Sequence, residues 1–89
     1  VPSPAPSLSI LIVHWNTCPD LRECLRSLYA HPYTRGAQEI IVVDNGSTDH
    51  AASMVWQDFP QTTLIANKCN ENYAHATNQA LKRASGDYL

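Results

Sequence analysis

The sequence predicts an α/β fold in which a mainly parallel sheet lies between layers of helix, and three observations predict it. Two runs, Leu8–Val13 and Ile40–Val43, are almost wholly apolar, as strands buried on both faces are. Segments with helical periodicity follow each of them. Polar stretches separate the two kinds of segment, giving the order β-α-β-α-β-α-(β). Such an alternation implies parallel strands joined by right-handed crossovers. Composition agrees, since 44% apolar and 16% charged residues describe a globular chain. Its 89 residues make one small domain, which buries roughly 60–65% of the surface of the unfolded chain.

Residues 1–7 hold three prolines and read as a tail, so the domain is assigned to residues 8–89. Leu8–Val13 is the first strand, expected at the centre of the sheet because it is so apolar. Pro19–Ala30 is an amphipathic helix with Leu21, Cys24, Leu25 and Leu28 on one face and Arg22, Glu23 and Arg26 on the other. Thr17 or Cys18 would cap it, Pro19 suits its first position, and Pro32 ends it by disfavouring helical geometry at His31. The second strand runs through Ile40–Val43 into Asp44-Asn45-Gly46-Ser47-Thr48-Asp49. There Gly46 allows a sharp turn, and Ser47 or Thr48 can cap a helix with Asp49 in its first turn. That helix spans Asp49–Phe59, with Ala52, Val55, Trp56 and Phe59 apolar, and Pro60 stops it. Thr62–Ala66 is a short third strand. Tyr73–Ser85 is a third helix, with Tyr73, Ala76, Thr77, Ala80, Leu81 and Ala84 at helical spacing and Gly86 as its terminator. Asp87–Leu89 opens a fourth strand, at which the sheet is truncated.

A formal net charge of −2 gives no reason to expect nucleic acid as a partner. No apolar run reaches the length of a membrane span and no signal peptide is visible, so a cytoplasmic location is expected. Cys18, Cys24 and Cys69 have no metal-binding spacing and read as reduced thiols. Asn45-Gly46-Ser47 matches a glycosylation acceptor and is read instead as a turn. His31 and His50 are expected to face solvent.

Ligands of open α/β sheets bind beyond the carboxyl ends of the strands, which draws attention to His14, Trp15, Asp44 and Asn45. The first turn lacks the glycines of a dinucleotide fold, and there is no phosphate-binding GxxxxGK[ST]. A receiver-like regulator would need acidic residues after the first strand, and His14-Trp15-Asn16 supplies none. An aromatic face at Trp15 can stack on a nucleobase, and a neighbouring carboxylate or amide can bind its edge or the ribose. The plainer structural readings are a turn cap for Asp44 and a core aromatic for Trp15.

Three stretches carry a family resemblance. Leu8-Ser-Ile-Leu-Ile-Val-His-Trp-Asn16 resembles the S-[IV]-[IV]-[IV]-x-[NY]-[YW]-N opening of family 2 glycosyltransferases. Val42-Val-Asp-Asn-Gly-Ser-Thr-Asp49 resembles their VVD[ND]GSTD signature. Asn70-Glu-Asn-Tyr-Ala-His-Ala-Thr-Asn78, continued by Ala84, Gly86 and Tyr88-Leu89, is similar to N-x-G-[FY]-[AG]-x-[AG]-x-N-x-[GA]…A-x-G-x-[YL]-[LI]. The match covers most of residues 8–89, and the Asp-Asn pair is most similar to rhamnosyltransferase-like members. The resemblance implies the GT-A fold, a three-layer Rossmann-like half-domain here, and transfer of a sugar from a nucleotide-diphospho-sugar to an acceptor hydroxyl.

Carried over by position, Val13 and Trp15 would contact or stack on the base, with His14 beside them. Asp44 and Asn45 would meet the base edge or ribose, which of the two decisively being open, and Asn72 to Asn78 would line the far side. A UDP- or dTDP-sugar donor and a saccharide or lipid-linked acceptor are implied, with the full-length protein cytoplasmic or at the inner face of the membrane. Two positions depart from the pattern. Asn72 stands where Gly is usual, a replacement that tolerates positive φ, and Ala80 stands where Gly is common. The resemblance also implies a divalent metal, Mg or Mn, held by an Asp-x-Asp after the fourth strand, and an Asp or Glu base later still. Both fall outside these residues, so the chain is expected to be an inactive donor-binding half of an inverting enzyme. The alternative is a non-catalytic nucleotide-binding or interaction module that associates with another chain through its open sheet edge.

Overall fold

The computed structural model describes residues 7–32, 37–70 and 72–84. Strand β1 (Leu8–His14) leads to helix α1 (Cys18–Ala30), β2 (Gln38–Asn45), α2 (Ala51–Asp58), β3 (Thr63–Asn67) and α3 (Tyr73–Arg83). The strands form one parallel sheet in the order β1-β2-β3. Among the described residues β2 is therefore the central strand and β1 flanks it. The difference shows in burial: Ile40 to Asn45 are all buried, whereas β1 buries only Ser9 and His14. The fourth strand expected over Asp87–Leu89, and the helix end at Ser85 and Gly86, lie outside the described residues.

Alternation along the strands splits the apolar side chains between two cores. Ile40 and Val42 pack with Leu21 and Leu25 of α1 and with Ala51, Met54 and Val55 of α2. Ile41 and Val43 pack instead with Ala76 and Ala80 of α3, flanked by Leu11, Val13 and Ile65. Helices thus cover both faces, α1 and α2 on one and α3 on the other, and the three-layer architecture is present. Burying a Val, Leu or Ile side chain contributes about 1.5–3 kcal/mol, so β2, enclosed on both faces, is the principal anchor of the domain. Alanines at 76 and 80 let α3 approach the sheet closely.

Several sequence expectations are corrected. Helix α2 begins at Ala51, with left-handed His50 (φ 64°) at its N-cap and no side-chain cap bond from Ser47 or Thr48. Its buried residues are Ala51, Met54 and Val55, and Trp56, 100° round from Val55, is 75% exposed. Likewise Tyr73 and Leu81 of α3 are exposed, because Ala76 and Ala80 make the contact. Cys24 is exposed while Leu21 and Leu25 are buried. Asn72 does not use positive φ: it is extended (φ −70°, ψ 158°) and caps α3, its Oδ1 accepting from His75 N at 2.8 Å. His31 and His50 are exposed, as expected.

Candidate functional site

The parallel register brings the tips of β1 and β2 level, with His14 beside Asp44 and Val13 beside Val43. On β3, Asn67 stands beside Asn45. Two connections leave these tips, residues 15–17 after β1 and 46–50 after β2, and they are laced together. Asn16 N donates to Ser47 Oγ at 2.9 Å, and Asn16 Oδ1 accepts from Thr48 N at 2.8 Å. Cys18 N donates to Asp49 Oδ2 at 2.8 Å, while Asp49 Oδ1 accepts from Ala51 N at 3.3 Å. One carboxylate therefore satisfies backbone donors at the starts of both α1 and α2, which such helix ends require. Asn16 takes a left-handed conformation (φ 52°) that Asn tolerates better than most residues.

Gly46 makes the turn out of β2. Its φ is +84°, and a Cβ there would lie 2.6 Å from the Cys69 carbonyl carbon. Only glycine permits this backbone to pass so close to the loop after β3.

The expected ligand-binding residues fall into two groups across the sheet. Toward α1 and α2 stand His14 and Asp44, each 4% exposed. Asp44 Oδ1 accepts from Ser47 N at 3.3 Å, so it does stabilise the turn. His14 Nδ1 shares a hydrogen bond with Thr17 Oγ1 at 3.2 Å, and its Nε2 is buried with no partner among the described residues. An orphaned buried nitrogen costs about 1–3 kcal/mol. Toward α3 stands Asn45, also 4% exposed, within a chain of carboxamides. Asn67 Nδ2 donates to Asn45 Oδ1 at 3.2 Å and Asn45 Nδ2 to Asn70 Oδ1 at 2.8 Å. Val13 packs against the α3-side core.

Trp15 directly follows β1. It is 52% exposed, so it is not a core aromatic. Asn72 and Asn78 are both exposed. Asn78 lines a shallow groove on α3 with His75, Gln79, Leu81 and Lys82, and no described contact ties it to the tips of β1 and β2. The tips thus bring together Val13, His14, Trp15, Asp44 and Asn45, and leave Asn72 and Asn78 on the neighbouring helix.

Sequence reading quotes Asn16, Asp49 and Asn70 within motifs without the contacts they make, and gives Asn67 and Gln79 no role. The signal for the amides was their density: Asn67, Asn70 and Asn72 crowd one short loop after a strand end. The cysteines described are free thiols. Among the described residues no three His, Cys, Asp or Glu side chains converge on a metal position. No described helix is long and apolar enough to cross a membrane.

Comparison with known proteins follows the same lines. Residues 9–89 match the model of the family described as Glycosyl transferase family 2. The chain is 32% identical over 85 residues to an uncharacterized glycosyltransferase, YibD, of Escherichia coli, covering 92% of this chain and 24% of that protein. It is 29% identical over 84 residues to a poly-beta-1,6-N-acetyl-D-glucosamine synthase of Staphylococcus aureus, covering 92% of this chain and 20% of that one. Among solved structures it resembles the mannosyltransferase PcManGT of Pyrobaculum calidifontis, in complex with GDP-Man and Mn2+. The TM-score is 0.82 at 32% identity, over 93% of this chain and 26% of that chain. The chain therefore spans a fifth to a quarter of the length of these relatives.

Proposed function

The chain belongs to glycosyl transferase family 2, and from that premise we propose that it is the donor-binding half of the transferase domain. In this reading residues 8–89 hold the nucleoside of a nucleotide-diphospho-sugar, whose sugar passes to an acceptor hydroxyl in the complete protein. The observation that carries it is the half-exposed Trp15, which directly follows β1 where the paired ends of β1 and β2 lie level. An aromatic face beside fixed polar groups is what a nucleobase needs for stacking and edge recognition. Asn45 and Asp44 then supply the polar groups, Asn45 from the α3 side and Asp44 from the helix α1 side.

The donor class is a UDP- or dTDP-sugar and the acceptor a saccharide or lipid-linked saccharide, in the manner of rhamnosyltransferase-like members. The structural neighbour's GDP-Man and Mn2+ support a nucleotide-sugar donor and a divalent metal in the complete enzyme. Its metal ligands and catalytic base are assigned to parts of the protein beyond these residues, and its site to the cytoplasmic side of the cell. The test is calorimetric titration of the full-length protein with UDP and dTDP. Trp15→Ala is expected to weaken binding by about tenfold or more, the worth of one base–aromatic stack. Wild-type affinity in a folded Trp15→Ala variant would overturn the assignment.

A further inference from the structure

The outer edge of β3 and the groove beside it belong neither to the strand tips nor to the core. Among the described residues β3 pairs only with β2 and ends the sheet. Such an edge offers N–H and C=O groups to another strand, and proteins commonly blunt it with charge or proline. The Thr-Leu-Ile-Ala-Asn of β3 has neither. Beside it lies an apolar groove lined by Trp56, Phe59, Pro60, Thr62, Leu64 and Ala66. Leu64 and Ala66 are alternate residues of β3 and share the face on which α2 packs. Trp56 is 75% exposed, a large apolar surface of the kind that marks a protein contact. The groove encloses about 190 Å³, less than the roughly 300–1,000 Å³ of small-molecule pockets. Side chains of another protein fit it better than a nucleotide does.

We propose that this edge docks a second copy of the chain, the two β3 strands pairing antiparallel about a twofold axis into one six-stranded sheet. In that arrangement the strand is self-complementary. Matching it end to end sets Ile65 against its own symmetry mate, Leu64 opposite the partner's Ala66, and Thr63 opposite the partner's Asn67. Residues directly opposite in an antiparallel pair face the same side. The two Leu64–Ala66 pairs therefore form one apolar strip, which the two Trp56 side chains flank. Charge supplies a second match. Lys68, the residue after β3, is exposed and forms no ion pair among the described residues. The same register places it opposite the partner's Thr62, whose N–H donates to the carbonyl of Phe59, the C-cap of α2. Helix α2 ends at Asp58 with no basic residue in its own last turn, and Arg22 of α1 reaches Asp58 only at 3.7 Å. A lysine from the second copy adds a cation at this negative helix end.

A strand pair this short makes a small interface, at the transient end of the range below about 1,200 Å², so a micromolar dimer is expected. The experiment is sedimentation velocity of the full-length protein across the micromolar range. Wild type is expected to pass from monomer to dimer as concentration rises. Trp56→Glu and Ala66→Lys, both at exposed positions, are expected to raise the dissociation constant about tenfold or more, the one removing an aromatic anchor and the other charging the edge. The melting temperature is expected to stay unchanged. Lys68→Glu, a probe outside the strand should either variant fail to fold, is expected to weaken the dimer as well. Adding Asp58→Lys to it is expected to restore part of the loss, which a contact elsewhere would not do. A wild type that stays monomeric throughout, its groove covered by another part of the same protein, would overturn the proposal. So would a dimer whose dissociation constant the folded variants leave unmoved. The proposal stands apart from the donor reading, which Trp15→Ala tests.

Discussion

Gly46 sits where the central strand turns back over the loop after β3, and two independent facts forbid a side chain there. Its φ of +84° is in the left-handed region, and a Cβ would meet the Cys69 backbone at 2.6 Å. Backbone on both sides of the contact leaves no flexible group to give way. Gly46→Ala is therefore expected to cost about 2–4 kcal/mol, above the ~1 kcal/mol of the conformation alone, read as a lower urea midpoint. The glycine and the paired Asp44-Asn45 were legible in the sequence because a polar Gly-containing turn followed four apolar residues. What each of the pair does was not legible. Consecutive strand residues face opposite layers, so Asp44 joins His14 and the turn while Asn45 joins the amides, a division that needs both neighbouring strands to be visible.

The elements were legible where the burial pattern is strict and blurred where a cap decides the register. The three strands and α1 sit within a residue or two of their expected bounds, since apolar runs and Pro19 fix them. The sequence signal for α2 falls two residues early, at Asp49 instead of Ala51, because Ser47, Thr48 and Asp49 look like cap residues. Instead they are spent on the neighbouring connection: Ser47 and Thr48 bind Asn16, and Asp49 binds Cys18 as well as Ala51. No local rule reveals a partner about thirty residues away. Trp56 stands in solvent because it lies 100° round the helix from the buried Val55. Because Asp49 alone serves two helix starts, Asp49→Ala is expected to cost about 1–2 kcal/mol. Asp49→Asn, which keeps one acceptor oxygen, is expected to cost less. Denaturant midpoints with an unchanged slope check both.

At the scale of the molecule, the same parallel register that buries β2 also levels the strand tips, so stability and site geometry have one origin. The layers were legible from alternation alone, and the lacing of the tips was not. Two aromatic surfaces compete as places for a nucleobase. One is Trp15 at the end of β1. The other is an apolar groove between α2 and β3, lined by Trp56, Phe59, Pro60 and Leu64. The groove is the more apolar of the two, yet its named lining lacks the paired amides and carboxylate that can read a base edge. The tips have them. A crystal structure of the full-length protein with bound UDP tests this choice most directly. The uracil is expected to stack on Trp15, ring centroids roughly 4.5–7 Å apart, with its edge toward Asp44 and Asn45. Uracil seated against Trp56 and Phe59, with Trp15 bare, would contradict it.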